Sequence, residues 1–256
     1  VVLQLRADLV GVGQRRVFAR QDQGGRQQRR TVGIQQGLHD GVLGHDGRLY
    51  AVDWIGDKLY RLDPRSNERK VWDVPTGELR EGGILGILAE RGRRYTHHTP
   101  TVAPHSIQVA PDGTLWMTLS VGKGLASFDP VTEQFRTFDH PDRVKYPHTL
   151  RFDANGDIWY TASMTNHVVR FDPRAGTFEV HDLPTRNWGQ WLMARATGPI
   201  IWAANTFKVK GRSVVADPEI NPVPYGIEVA PDGRVWFSQF NNSRLGVITP
   251  ATGAIE

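Results

Sequence analysis

The chain of 256 residues has no cysteine, which excludes disulfide bonds and thiolate metal sites. It has no run of about 18 apolar residues, so the sequence predicts no membrane-spanning helix. Its net charge of +4 comes from the start of the chain, because residues 1–36 hold seven Arg against two Asp, a net +5, and the rest therefore carries −1. A near-neutral body without a basic stripe argues against nucleic-acid binding.

Residues 1–36 differ from the rest of the chain in composition. They are rich in Arg and Gln and contain neither Trp nor Tyr. Such a stretch is either a basic arm for an anionic partner or a disordered leader outside the fold. The first residues do not show the basic start, apolar core and small-residue cleavage site of a signal peptide in that order. The sequence therefore leaves the compartment open between cytoplasmic and exported.

A repeated pattern fills residues 37–256 and predicts an all-β fold. Trp116 and Trp159 lie 43 residues apart, as do His105 and His148. Each unit has four short apolar runs, with Asp-Gly or Asn-Gly pairs for tight hairpins between the first two. A period of about 40 residues with four strands is typical of β-propeller blades. In chain order, the predicted four-stranded antiparallel blades cover about 38–75, 103–141, 146–184, 187–222 and 223–256, with an insertion at 76–102.

Two of these segments depart from the regular pattern. The blade predicted at 187–222 is eroded, since Thr197-Gly198 replaces the Asp-Gly hairpin, although Trp202 keeps the 43-residue spacing from Trp159. The last repeat ends where its fourth strand is expected. The ring therefore either borrows a strand from the leader or is part of a larger propeller, and the abrupt end favours the second. The insertion at 76–102 is expected on one face, often the binding face.

One position recurs in all five predicted blades, eleven residues before the Trp or Tyr of the second strand. It begins the first strand, which lines the channel of a propeller. Aromatic rings offer stacking surface, and histidines exchange protons near neutral pH. The set predicts either a small-molecule site at the channel mouth of a monomer or aromatic side chains that only plug the channel. Its members are His39, His105, His148, Trp191 and Tyr225.

Metal binding at this ring has two candidate forms. Asp53 is the only carboxylate found three residues after the Trp or Tyr of a blade, which makes it a weak candidate ligand for Mg²⁺. A site of three imidazoles, from His39, His105 and His148, would instead suit Zn²⁺ or Fe²⁺. No G-x-S-x-G motif is present, so a Ser-His-Asp hydrolase has no support.

Three motifs recur along the repeats: a Pro-His or Pro-Tyr-Gly-Ile start, a middle in which Trp follows a Gly-containing turn, and a close that begins with Arg. They stand at Pro104-His105, Pro147-His148, Pro224-Tyr225-Gly226-Ile227, Asp157-Ile158-Trp159-Tyr160-Thr161, Arg234-Val235-Trp236-Phe237-Ser238 and Arg244-Leu245-Gly246. With these motifs the chain resembles the virginiamycin B lyase (streptogramin lyase) family over about residues 38–256.

The resemblance implies an incomplete seven-bladed propeller and a Mg²⁺-dependent lyase. Such an enzyme opens the lactone ester of a cyclic depsipeptide antibiotic by C–O elimination. A base removes the proton α to the ester carbonyl, and Mg²⁺ stabilises the enolate. On this reading His148 is the base and His105 orients the substrate, and the other members of the ring contact it.

Two positions differ from the family pattern and leave a second function open. The family has metal-binding glutamates two residues before and fourteen after the catalytic histidine, where this chain has Tyr146 and Ala162. The same positions around His105 are Ala103 and Leu119. The alternative is therefore a non-catalytic propeller that binds a small ligand or a protein partner at the channel mouth.

Overall fold

A computed structural model describes residues 19–21, 27–29, 37–75, 102–122, 124–206 and 220–256. Within these ranges the regular structure consists of one two-stranded sheet, four four-stranded sheets and one helix. In every four-stranded sheet, each strand pairs antiparallel with the next strand in the sequence. Four-stranded meanders of this kind are the blades of a β-propeller.

The strands are numbered in chain order, and each four-stranded sheet is named as a blade. The first 36 residues contain β1 (Ala19–Gln21) and β2 (Gln27–Arg29), which pair with each other. Blade I consists of β3 (Leu38–Leu43), β4 (Leu49–Asp53), β5 (Lys58–Leu62) and β6 (Arg69–Asp73). Blade II consists of β7 (Pro104–Val109), β8 (Leu115–Leu119), β9 (Gly124–Asp129) and β10 (Gln134–Asp139). Blade III consists of β11 (Pro147–Phe152), β12 (Ile158–Ala162), β13 (His167–Asp172) and β14 (Thr177–Asp182). Helix α1 (Trp188–Thr206) precedes blade IV, which consists of β15 (Pro224–Val229), β16 (Val235–Gln239), β17 (Arg244–Thr249) and β18 (Ala254–Ile255).

One turn joins the first and second strands of every blade. Its glycine has a φ between 75° and 90° in all four blades, a left-handed conformation that side chains disfavour. In blades I, II and IV, the Asp before this glycine accepts the backbone N–H two residues further on, as Asp112 does from Thr114 at 2.9 Å. The Asp-Gly and Asn-Gly pairs of the sequence therefore mark these hairpins correctly.

Neighbouring blades pack face to face through three apolar clusters. The Trp or Tyr in the second strand of blades I to III inserts into the following blade: Tyr50 and Trp159 are fully buried, and Trp116 is 7% exposed. Trp159 of blade III, for example, packs with Val235 and Phe237 of blade IV. A single sheet could not cover these rings, and burying each one contributes on the order of 2–3 kcal/mol. This repeated insertion holds the blades side by side.

The predicted blade at 187–222 is different in the structure, and the prediction of strands there is wrong for its described part. Trp188–Thr206 is a helix with a kink at Ala196 and Pro199 inside it. The side-chain oxygen of Asn187 accepts the N–H of Gln190 at 2.9 Å, which is the bond of a helix N-cap. Because Gln, Leu, Met, Ala and Arg fill its first turns, the segment favours a helix over a strand.

Blade IV consequently lies directly beside blade III, although 41 residues, 183–223, separate them in sequence. The first strands of blades I to IV follow one another in space in the order β3, β7, β11 and β15. All four begin on one face, here called the mouth face. The connections that lead into β7 and β15 are the long ones, and both end on the mouth face.

Two predicted segments fall mostly outside the described residues. They are the Arg/Gln-rich leader at 1–36, apart from β1 and β2, and the insertion at 76–102, apart from Val102. Within the described part of the chain, no helix has the length and apolar character needed to cross a membrane.

Candidate functional site

Four of the five predicted ring residues meet on the mouth face. The ring centroids of His39 and His105 are 3.8 Å apart, those of His105 and His148 are 3.8 Å apart, and those of His148 and Tyr225 are 4.1 Å apart. The planes of neighbouring rings are tilted by 44° to 47°. These side chains, called here the histidine column, form a continuous row with one ring from each blade.

A β-bulge brings each side chain of the histidine column to the mouth face. The register of the first two strands shifts next to all four residues. Two residues before the ring, the backbone has a positive φ at three non-glycine residues: Ala103 (50°), Tyr146 (63°) and Val223 (52°). Bulges and such strained φ values are concentrated at functional sites, where they re-aim side chains. The repeated distortion therefore supports a common role for this position.

Hydroxyl groups on the second strands connect the backbones of neighbouring first strands. The Thr118 hydroxyl accepts the N–H of Ser106 at 3.0 Å and donates to the carbonyl of His148 at 2.7 Å. Thr161 makes the same pair of bonds one blade later, from Thr149 at 3.3 Å and to Tyr225 at 2.9 Å. The first strands of blades II, III and IV are thus fixed relative to one another, which sets the spacing of His105, His148 and Tyr225.

The two middle rings of the column are buried and the two end rings are open to solvent. His105 and His148 are each 5% exposed, whereas Tyr225 is 46% exposed and His39 is also exposed. His39 Nδ1 lies 3.1 Å from the carbonyl oxygen of His105. Because a carbonyl can only accept, this nitrogen carries the proton, and His39 Nε2 has a free lone pair.

Burial keeps the middle histidines neutral. It lowers the pKa of His148 to about 3, and the nearby His39 imidazole opposes a positive charge as well. Burial also lowers the pKa of His105 well below its usual value, with His148 and His39 acting in the same direction. A general base works best with a pKa near the operating pH. Neutral, weakly basic rings suit packing and hydrogen bonding better than proton abstraction.

Trp191, the fifth predicted member, does not join the column. It lies in α1, is 49% exposed, and has the Arg195 guanidinium 4.6 Å from its ring centroid. The spacing rule fails here because it assumes a strand.

Sequence reasoning passed over two aromatic residues that flank the column: Tyr146, 6.2 Å from His148 by ring centroids, and Phe240, 5.8 Å from Tyr225. Tyr146 lies two residues before His148, so its place in the repeat could have revealed it.

The residues present do not fit a Mg²⁺ site. Asp53 is 1% exposed, and its Oδ1 accepts the N–H groups of Ile55 at 3.1 Å and Gly56 at 2.8 Å, which closes the β4–β5 turn. Tyr146 and Ala162 offer no carboxylate where the lyase family has glutamates. The three imidazoles pack ring against ring, and no group of three metal-binding side chains occurs among the residues described. Neither predicted metal site is therefore formed by them.

Comparisons with known proteins support the fold of the chain but assign it to no family. No protein-family model matches the chain, and no curated protein sequence matches it. Among solved structures, the chain is similar to virginiamycin B lyase from Staphylococcus aureus, with a TM-score of 0.60 and 16% identity over 94% of this chain and 61% of the lyase. A catalytically inactive variant of that lyase with quinupristin gives the same values. The chain thus spans about three fifths of the length of these lyases.

Other similar structures have different names. They include the hydrazine synthase of Kuenenia stuttgartiensis, with a TM-score of 0.54 and 13% identity over 87% of this chain and 48% of that one. An auxiliary nutrient binding protein from Bacteroides ovatus has a TM-score of 0.51 and 14% identity over 96% of this chain and 52% of that one. At such identities the likeness shows the fold alone. The predicted fold class, a β-propeller of four-stranded antiparallel blades, is confirmed.

Proposed function

We propose that the protein binds a small ligand on the mouth face, against the histidine column, and does not transform it. The observation that supports this best is the unbroken row of four rings, 3.8 to 4.1 Å apart, with exposed rings at both ends. The exposed rings at the two ends of the column favour a ligand with a flat apolar face, held by stacking and dispersion. Of the two functions that the sequence leaves open, we therefore prefer the non-catalytic propeller that binds a small ligand over the lyase.

The chemistry of the column supports binding over catalysis. With a pKa of about 3, His148 is a weak proton acceptor at neutral pH. Among the described residues, no group of three metal-binding side chains is available around the column to hold a Mg²⁺ ion that would stabilise an enolate. His39 Nε2, with its free lone pair, can accept one hydrogen bond from the ligand. The site thus combines stacking surface with a fixed acceptor.

Quinupristin provides a first test of binding, since it accompanies the similar lyase structure. We expect isothermal titration calorimetry to show binding that persists in EDTA. Tyr225→Ala should weaken it at least about tenfold, equivalent to about 1.4 kcal/mol, because an exposed end ring is removed. His45→Ala is the matched control, since His45 is exposed in the β3–β4 turn at the opposite face. Equal affinity of the wild type and Tyr225→Ala would contradict the proposal.

The second candidate is the elimination reaction that the resemblance implies. It is favoured by one observation: the similar lyase has a histidine-to-alanine variant that is catalytically inactive, and His148 and His105 stand at the positions where the resemblance places catalytic histidines. In this reaction His148 would take a proton from the carbon next to the one that bears the ester oxygen; a C=C double bond forms there, the alkyl C–O bond breaks, and the acyl half of the ester leaves as a carboxylate.

Mass spectrometry of quinupristin incubated with the protein separates the two candidates. On the binding proposal, we expect intact quinupristin after long incubation, with Mg²⁺ or with EDTA. A lyase would convert it to a linear product of equal mass and different retention. That conversion would stop in His148→Gln and persist in His45→Gln. Such turnover would establish the second candidate over the first.

A further inference from the structure

Blade IV exposes the face that is buried in each of the other blades. This face, called the leading face, carries the Trp or Tyr of the second strand and an aliphatic residue nine positions later. At the aliphatic position, Leu59, Leu125 and Val168 are fully buried against the next blade. In blade IV the two residues are Trp236, which is 39% exposed, and Leu245, which is 76% exposed. The same apolar pattern is thus left uncovered.

Blade I exposes the opposite face of its sheet, called the trailing face. In blades II to IV, this face packs against the preceding blade. Leu43 is 48% exposed and Val71 is 47% exposed. The counterparts of Leu43, seven residues before the Trp or Tyr, pack into the three inter-blade clusters; they are Val109, Phe152 and Val229. The two ends of the arc therefore carry the two kinds of face that already pack together three times within it.

We propose that two copies of this chain associate head to tail, with the leading face of blade IV in each copy against the trailing face of blade I in the other. The interface continues the packing between successive blades. The exposed trailing face of blade I is the partner surface, since in the other blades this face packs against a leading face. Head-to-tail contacts form a ring when the rotation closes.

This association also completes the site. Tyr225 and His39 are the exposed ends of the histidine column, so His39 of the partner subunit follows Tyr225 in the ring. The hydroxyl of Ser238 accepts the N–H of Gly226 at 3.0 Å, as Thr118 and Thr161 do in their blades. Its proton then faces the position of the next blade, where it donates to the carbonyl of the partner's His39. The ring is dimeric, in place of the monomer expected from the sequence.

Sedimentation velocity of the full chain over a wide range of concentrations tests the association. We expect a dimer for the wild type, and monomers for Leu245→Glu and for Leu43→Glu, because each variant puts a charge into both interfaces. Val131→Glu is the matched control, since Val131 is 90% exposed in the β9–β10 turn and lies on neither face. Circular dichroism checks that each variant keeps its sheet content.

Mixing the two variants gives a sharper result. A heterodimer of Leu245→Glu and Leu43→Glu has both charges in one interface and none in the other, so we expect the mixture to recover dimers that neither variant forms alone. A monomeric wild type at all concentrations would overturn the proposal, as would loss of the dimer in Leu245→Glu but not in Leu43→Glu. None of these outcomes depends on quinupristin binding, so the association and the proposed function can fail separately.

Discussion

Replacing Trp159 by alanine is expected to destabilise the protein by about 3–5 kcal/mol, the range for removing a buried Trp or Phe. Trp159 is fully buried and packs on blade IV. Its indole N–H donates to the Asp153 carboxylate at 3.0 Å, and its ring stacks on His181 with centroids 5.4 Å apart. The substitution therefore leaves a cavity between blades and an unpaired carboxylate oxygen.

Urea unfolding followed by circular dichroism measures this effect. The matched control is Trp188→Ala, because Trp188 is 78% exposed on α1 and its removal should change the free energy of unfolding by less than about 0.5 kcal/mol. If Trp159→Ala unfolded at the urea concentration of the wild type, the blades would not be held together by the inserted indoles.

Acid is expected to destabilise the fold well before the carboxylates titrate. Burial lowers the pKa of His148 to about 3 and that of His140 to about 4, below the ordinary 6.5. Below pH 6.5 the unfolded chain therefore binds protons that the folded chain does not, and stability is lost as the pH falls toward 4. Each such histidine contributes a slope of up to about 1.4 kcal/mol per pH unit.

The free energy of unfolding, measured in urea between pH 7.5 and pH 4.5, checks this expectation. The carboxylates with lowered pKa values, such as Asp129, begin to matter only at lower pH, since their ordinary pKa is 3.8. His140→Gln should lower the number of protons taken up on unfolding by one, while the exposed and non-titrating Trp188→Ala should leave the slope unchanged. A stability that is flat over this range would show that the buried histidines are charged in the folded protein.

The sequence predicts the blades well because their signals are local and repeated. The Asp-Gly turns at 46–47, 112–113 and 232–233 need a positive φ in any context. Between these turns, apolar residues alternate with a period of two, which is the pattern of β-strands and not of helices. The 43-residue repetition between blades II and III then supports the same assignment in both.

The same reasoning fails at 187–222, where a single Trp in the right place is given too much weight. Trp202 fits the 43-residue period, but the turn and the alternation around it are missing. Capping by Asn187 and the helix-forming residues that follow determine the structure instead. Trp191 was assigned to the ring through this error, whereas the four ring residues in true blades do meet.

Burial and exact ring contact could not be read from the sequence. Spacing places His105 and His148 at strand starts, but the 3.8 Å contact of their rings also depends on the bulges and on the placement of neighbouring blades, which no local pattern encodes. The low pKa of His148 follows from that burial, so it could not be predicted from the sequence either.

Blades III and IV remain in contact although 41 residues separate them along the chain. The entropy of closing a loop rises only with the logarithm of its length, and doubling the length adds about 0.6 kcal/mol. New segments can therefore be acquired at the mouth face at little thermodynamic cost, provided that the flanking sheets keep their own contacts. Ligand preference in such a scaffold can diverge through these inserted connections while the sheets themselves stay unchanged.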